Sequence, residues 1–88
     1  MSGEFGRWLR KVRFDLGWSL RTVERDLWNQ HSVRLSDTHL CHIEKGKRDP
    51  LTISPYILRG LILVYGLDAN EVIDKLGLSS GVAKSFDD

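Results

Sequence analysis

The residues of this chain that could do chemistry are concentrated between positions 39 and 50, in the run HLCHIEKGKRDP. His39, Cys41 and His42 are potential metal ligands, and His31 could supply a fourth donor. Their spacing matches no standard zinc motif, and on a helix His39 and Cys41 point in different directions, so we expect no metal site. The sequence contains no P-loop, HExxH motif or nucleophile–base–acid arrangement, so we expect neither an enzyme nor a cofactor.

The second chemistry that this run could supply is anion binding, because Lys45, Lys47 and Arg48 follow one another closely. The charge around them has the same sign. Residues 1–48 contain ten Lys or Arg and six Asp or Glu, whereas residues 49–88 contain three and six. This asymmetry predicts that the first half of the chain faces an anion. A solvated basic surface is the alternative.

Glu44 lies in the same run, directly after the apolar Ile43. If the run is helical with Leu40 and Ile43 facing the core, Glu44 leans toward the core as well. A buried carboxylate requires a partner, because burying it alone costs several kcal/mol. The best-placed cation is Arg13, at the edge of the apolar stripe of the first helix. The alternative is that Glu44 is a solvated surface residue.

Five helices and no strand are predicted to position these residues. The inner face of the first helix is marked by apolar residues at helical spacing: Phe5, Leu9, Val12 and Leu16. The later helices begin at residues whose side chains can accept a main-chain hydrogen bond: Ser19, Ser36, Ser54 and Asp68. Asp68 and Glu71 fit a capping box. Glycines at positions 17, 46 and 66 end the first, third and fourth helices.

The inner faces of the remaining helices follow from the same periodicity. We expect these side chains to point inward in the second and fifth helices: Val23, Leu27, Val72, Ile73 and Leu76. The fourth helix, residues 56–65, is apolar nearly all round, so one of its faces must look outward and is expected to contact a protein. After Leu27 the helical spacing of apolar residues becomes unclear, which fits either a long connection or an extended second helix followed by a short loop.

Four segments of the chain form a pattern when they are taken together: Leu9-Arg-Lys-Val-Arg13, Gly17-Trp-Ser19, Ile43-Glu-Lys-Gly-Lys-Arg-Asp-Pro50, and Tyr65-Gly-Leu-Asp68 with Glu71. In this register they resemble the Cro/C1-type, lambda-repressor-like helix-turn-helix family of DNA-binding regulators. The resemblance covers residues 4–76. It implies a compact, all-α, five-helix domain over residues 1–78, followed by a flexible tail over residues 79–88.

The resemblance also implies roles for individual residues. Arg13 would pair with Glu44 and tie the first helix to the third, which would be the recognition helix in the major groove. The base-contacting residues would be Asp37, Thr38, His39 and His42. The phosphate-contacting residues would be Ser19, Arg21, Arg34, Lys45, Lys47 and Arg48. Two alternatives stay open: Asp37 is only a helix-start residue, and Lys47 with Arg48 complements the helix dipole.

The turn between the second and third helices departs from the family pattern. Leu27 and Ser36 are nine positions apart, whereas the family usually has a turn of about three residues, so an enlargement by about six is predicted. This insertion could contact DNA through Arg34 or His31, or bind a protein partner through Trp28. Two single positions depart as well: Glu24 stands where a small alanine is preferred, and Leu20 where a phosphate-binding glutamine is common.

These observations predict a sequence-specific regulator of transcription that binds double-stranded DNA, cytoplasmic and nucleoid-associated, and that forms a homodimer through its fourth and fifth helices. The alternative is a protein-interaction module that retains the fold. It is supported by the net charge of only +1, by Asp37 on the recognition helix and by Trp28 in the insertion. No membrane role is expected, because the longest apolar run, residues 61–65, is too short to span a bilayer.

Overall fold

The computed structural model describes residues 3–47 and 50–77, which form five α-helices and a short 3-10 turn. In chain order the elements are α1 (Gly3–Asp15), α2 (Leu20–His31), α3 (Asp37–Glu44), the 3-10 turn (Pro50–Thr52), α4 (Pro55–Tyr65) and α5 (Ala69–Lys75). No strand occurs within these two ranges, so the predicted all-α class is confirmed for them. The tail predicted for residues 79–88 lies outside the described residues.

Side-chain caps start four helices at the residues that the sequence predicts. Three serine hydroxyls each accept a hydrogen bond from the main-chain amide three residues later: Ser19, Ser36 and Ser54. Asp68 starts α5, but its carboxylate accepts from the amide of Asn70 at 2.9 Å. The carboxylate therefore caps the second helical amide rather than that of Glu71, so the predicted capping box is wrong in its partner.

Twelve apolar side chains form one buried core between the helices: Phe5, Leu9, Val23, Leu27, Val33, Leu35, Leu40, Ile43, Leu61, Val64, Tyr65 and Val72. α2 packs against α3 and α4, while α1 packs against α3 and α5. A methyl group on Gly6 would overlap the main-chain oxygens of Ile43 and Glu44. The missing side chain at this position therefore sets how closely α1 approaches the C-terminal end of α3.

Two residues that were expected to face inward are exposed: Leu16 and Ile73. α1 ends at Asp15, so Leu16 lies just beyond the helix, and the inward place one turn earlier is taken by Arg13. On α5, Ile73 lies about 100° from the buried Val72, and this short helix meets α1 with only one face. A stripe read from periodicity thus fails where a helix ends or is very short.

The connection between α2 and α3 is shorter than the sequence predicts. α2 continues to His31, so only residues 32–36 lie outside the two helices. The extended second helix is therefore the correct alternative, and the enlargement by about six residues is wrong for the turn itself. Ser32 ends α2 in the left-handed conformation with φ 56°. Val33 and Leu35 then turn into the core and anchor the loop.

Tyr56, near the start of α4, also fixes this loop. Its hydroxyl donates a hydrogen bond to the main-chain carbonyl of Ser32 at 2.6 Å and accepts one from the main-chain amide of Arg34 at 3.2 Å. Farther along α4, a Cβ on Gly60 would lie 2.9 Å from both methyl carbons of Val33. The loop therefore lies directly on α4, held by two hydrogen bonds and a close apolar contact.

α4 is the most apolar helix, and it buries one face only. Gly60, Leu61, Val64 and Tyr65 are buried, whereas Tyr56 and Leu63 are exposed. On α5, Ile73 is exposed as well. No helix within the described residues has the length and the apolar character needed to cross a membrane.

Candidate nucleic-acid interface

A buried ion pair ties α3 to α1. Nε of Arg13 donates to Oε2 of Glu44 at 2.7 Å, and Nη2 donates to Oε1 at 2.8 Å. Nη1 donates to the main-chain carbonyl of Trp18 at 3.0 Å. The two side chains are only 9% and 4% exposed. Arg13 is the partner that the sequence predicts for Glu44, and the forked geometry lets both carboxylate oxygens accept from one guanidinium.

The surroundings keep this pair closed to solvent. Hydrogen bonding to Glu44 raises the pKa of the Arg13 guanidinium above its ordinary value, although burial acts in the opposite direction. Burial, followed by the negative charge of Glu44, raises the pKa of the Tyr65 phenol. The Tyr65 hydroxyl has no hydrogen-bond partner among the described protein atoms. Glu44 is therefore placed as a structural clamp rather than as an accessible acid.

Beyond this clamp, α3 carries a group of polar side chains, of which one is exposed. Its cap, Ser36, accepts a hydrogen bond from the amide of His39 at 3.1 Å. Thr38 is exposed, whereas Asp37, His39 and His42 are half-buried. The four residues predicted to contact bases thus lie within six consecutive positions of one helix, three of them in its first turn. This end of α3 is also where a helix dipole is positive.

The start of α2 lies beside the start of α3. The Ser19 hydroxyl is already engaged, because it accepts from the Thr22 amide at 3.1 Å. Nε of Arg21 lies 3.7 Å from Oδ2 of Asp37, while the Arg21 side chain is 88% exposed. Arg21, which was predicted to contact phosphate, therefore forms an ion pair with Asp37, which was predicted to contact a base. Leu20 packs partly against the core and offers no polar group at this helix start.

Two further predicted phosphate contacts lie at the other end of α3. Lys45 and Lys47 are both exposed, on either side of Gly46, whose positive φ of 71° turns the chain away from the helix. α3 has eight residues, so its two ends are separated by roughly 12 Å. Arg48, also predicted to contact phosphate, lies outside the described residues.

An open groove of about 980 Å³ runs between the outer face of α2 and the loop to α3. The groove brings together Arg21, Arg34 and Asp37, which the sequence assigns to DNA contacts from three separate segments. The Arg34 guanidinium lies over the ring of the half-exposed Trp28, 4.6 Å from its centroid. This contact places Arg34 against α2, in the groove that Asp37 of α3 also lines.

Sequence reasoning missed two residues of this region. Arg25 lines the groove and is exposed, and its four-residue spacing from Arg21 on α2 was the signal that could have placed it there. Tyr56, which carries the loop on which Arg34 stands, gave no local signal because it is more than twenty positions away from the residues it binds.

The His and Cys residues of the opening run do not converge. Among the described residues, no group of three or more His, Cys, Asp or Glu side chains is close enough to hold a metal ion. Cys41 is a free, half-buried thiol on α3, and His39 and His42 lie on the part of α3 described above. The chemistry that the region can supply is therefore hydrogen bonding and positive charge.

No protein-family model, curated protein or solved structure matches this chain. The resemblance to the lambda-repressor-like family therefore rests on the residues quoted above.

Proposed function

We propose that this chain is a lambda-repressor-like helix-turn-helix domain that binds double-stranded DNA sequence-specifically and regulates transcription. The observation that carries the proposal is the placement of α3. The Arg13–Glu44 pair and the close approach at Gly6 hold its inner face. At its N-terminal end Thr38 is exposed and Asp37 and His39 are half-buried, and exposed cations stand near both ends of the helix. A rigid helix displayed in this way suits insertion into a major groove.

In this proposal, phosphate contacts set the register and base contacts set the specificity. Lys45 and Lys47 would neutralise phosphates beyond the C-terminal end of α3. Arg34 would neutralise a phosphate from the loop between α2 and α3. Thr38 can donate or accept at a base edge and can also contact a thymine methyl. His39 and His42 can both donate and accept hydrogen bonds, which suits base edges in the major groove.

We also propose that the chain forms a symmetric homodimer through α4 and α5. The support is that each of these helices exposes a large apolar side chain, Leu63 on α4 and Ile73 on α5. Two-fold dimers match inverted half-sites one helical turn apart. Light scattering should give about twice the chain mass of 10.1 kDa, and Leu63→Glu should halve that value. A monomer mass at every concentration, with and without DNA, would rule the dimer out.

The second candidate function is a protein-interaction module on the same helices. The half-exposed Trp28 beside the groove favours it, because aromatic side chains combined with arginine are enriched in protein interfaces. In this case α3 would not contact DNA, and the Asp37 carboxylate at its start would not be repelled by phosphates.

The salt dependence of binding to duplex DNA separates the two functions. About five phosphate contacts predict a slope near −4 to −5 in a plot of log affinity against log salt concentration. Lys45→Ala and Lys47→Ala should each make the slope shallower by about one. Lys11→Ala is the matched control, since it removes the same charge from the exposed face of α1. A slope near zero, or equal effects of all three variants, would favour the protein-interaction module.

A further inference from the structure

We propose that Arg21 reads a guanine base and that Asp37 positions it for this contact. The inference rests on the proposed DNA-binding function and deepens it. It reassigns both residues, because the sequence places Arg21 on a phosphate and Asp37 directly on a base. The pair would act as one unit, with the guanidinium as the reader and the carboxylate as its support.

The geometry of the ion pair is the first support. Arg21 is the second residue of α2 and Asp37 is the first residue of α3. The distance of 3.7 Å joins Nε of Arg21 to Oδ2 of Asp37. The guanidinium group therefore lies next to the N-terminal residue of the recognition helix. If that end of α3 reaches base edges, the Arg21 guanidinium reaches the same depth of the groove.

The chemistry of the two groups is the second support. Arginine carries five N–H donors in a planar fork, and the carboxylate faces the Nε edge. The Arg21 side chain is 88% exposed, so its two terminal nitrogens are open to a further partner. A pair of parallel donors matches O6 and N7 of guanine, which is the most common specific contact of arginine in the major groove.

The electrostatics of the site explain why an acid stands at this position. An isolated carboxylate at the start of α3 would be repelled by the phosphates on both sides of the groove. The pair of Arg21 and Asp37 carries no net charge, and the negative charge of Asp37 favours positions of the exposed guanidinium near the start of α3. Holding the side chain lowers the conformational entropy that it would lose on binding.

The rival assignment keeps Asp37 as a direct reader of cytosine N4 and Arg21 as a phosphate contact. The two assignments differ in how the residues depend on each other. If Arg21 is the reader, Asp37 acts only through it. If Asp37 is the reader, its contact survives the loss of Arg21.

The test is a double-mutant cycle on the duplex that the wild-type chain selects from a random pool. Affinities are measured for this duplex and for every single base-pair change, with wild type, Arg21→Ala, Asp37→Ala and the double variant. We expect one G·C pair whose replacement weakens wild-type binding by about 5-fold to 150-fold, the range of one bidentate contact. In Arg21→Ala the preference at this pair should fall to within about 2-fold. Asp37→Ala should weaken it at the same pair, and the double variant should match Arg21→Ala.

Lys11 and Asp15 supply the matched control. They form an exposed ion pair of 3.2 Å on α1, and their alanine variants carry the same charge changes. These variants should retain the wild-type preference at every base pair. Circular dichroism of all variants at the assay temperature reports that the helices remain folded.

Each other outcome overturns the inference. A uniform loss of affinity in Arg21→Ala, with unchanged base preference, would make Arg21 a phosphate contact and leave the DNA-binding function standing. Additive effects of the two substitutions, or effects at different base pairs, would make Asp37 an independent reader. If the wild-type chain selects no duplex, the proposed function itself fails and the inference fails with it.

Discussion

The Arg13–Glu44 pair gives the sharpest prediction about the folded chain. Glu44→Ala removes the acceptor of two short hydrogen bonds and leaves a guanidinium that is 9% exposed without its carboxylate. Among the described residues, the guanidinium keeps its hydrogen bond from Nη1 to the Trp18 carbonyl and its contact with the Phe14 ring, 4.9 Å from the ring centroid. Arg13 cannot escape the problem by losing its proton, because an arginine stays charged at any pH at which the protein is handled.

The size of the effect follows from this burial. Removing one partner of a buried pair costs about 3–5 kcal/mol, whereas an exposed pair contributes less than about 1 kcal/mol. The Lys11–Asp15 pair, whose side chains are 75% and 66% exposed, belongs to the second class. A domain of this size has a total stability of about 5–15 kcal/mol, so Glu44→Ala consumes a large part of it.

The assay is urea denaturation followed by circular dichroism, together with a thermal melt. We expect Glu44→Ala to lower the free energy of unfolding by about 3–5 kcal/mol and the melting temperature by more than about 12 °C. Asp15→Ala is the control and should change the free energy by less than about 1 kcal/mol.

A third variant separates the stranded charge from lost packing. Replacing both partners, as Arg13→Met with Glu44→Leu, removes the two charges and retains much of the volume, so it should recover about 2 kcal/mol or more of the loss. A melt of Glu44→Ala within about 4 °C of wild type, which corresponds to less than about 1 kcal/mol, would refute the clamp.

Three further predictions concern other parts of the fold. Gly6→Ala should destabilise the chain by about 3 kcal/mol or more, because its methyl group meets main-chain oxygens of α3 that cannot move aside; an unchanged urea midpoint would contradict this packing. Tyr56→Phe should lose about 0.5–1.5 kcal/mol and speed hydrogen exchange at the Arg34 amide, which donates to the Tyr56 hydroxyl; unchanged exchange would show that the hydroxyl does not hold the loop. Burial raises the pKa of Tyr65 in the folded chain, so stability should be fully present below the unfolded value of about 10 and should fall as the pH rises above it. Tyr65→Phe should have nearly wild-type stability at neutral pH and a smaller loss above pH 10; an identical alkaline profile would contradict the assignment.

Features that depend on residues close together in sequence were predictable. The serine caps and the glycine after α4 are local signals, and the structure contains them at the expected positions. The burial of Glu44 followed from its place beside Ile43 on a helix, and its partner from the edge of the apolar stripe on α1. Periodicity and charge were enough to predict this pair, because Arg13 was the cation best placed at the edge of the apolar stripe.

Features that depend on how the helices cross could not be read in advance. The Arg21–Asp37 contact joins two helix starts whose separation is set by the loop between them. That loop is held by Tyr56 and packs through Val33 against Gly60. Both of these α4 residues are more than twenty positions away in sequence from the loop residues that they contact. Leu16 fitted the stripe of α1, and only the end of that helix explains its exposure.

The central claim is that α3 reads DNA, and selection of binding sites from random duplex DNA tests it most directly. Purified chain at physiological salt should enrich a defined motif, with two inverted half-sites about one helical turn apart if the dimer forms. Thr38→Ala should relax the preference at one position of that motif, while Lys11→Ala should enrich the same motif as wild type. Absence of any enriched sequence, with only weak and salt-sensitive binding, would contradict the claim and turn attention to Trp28 and the groove beside it.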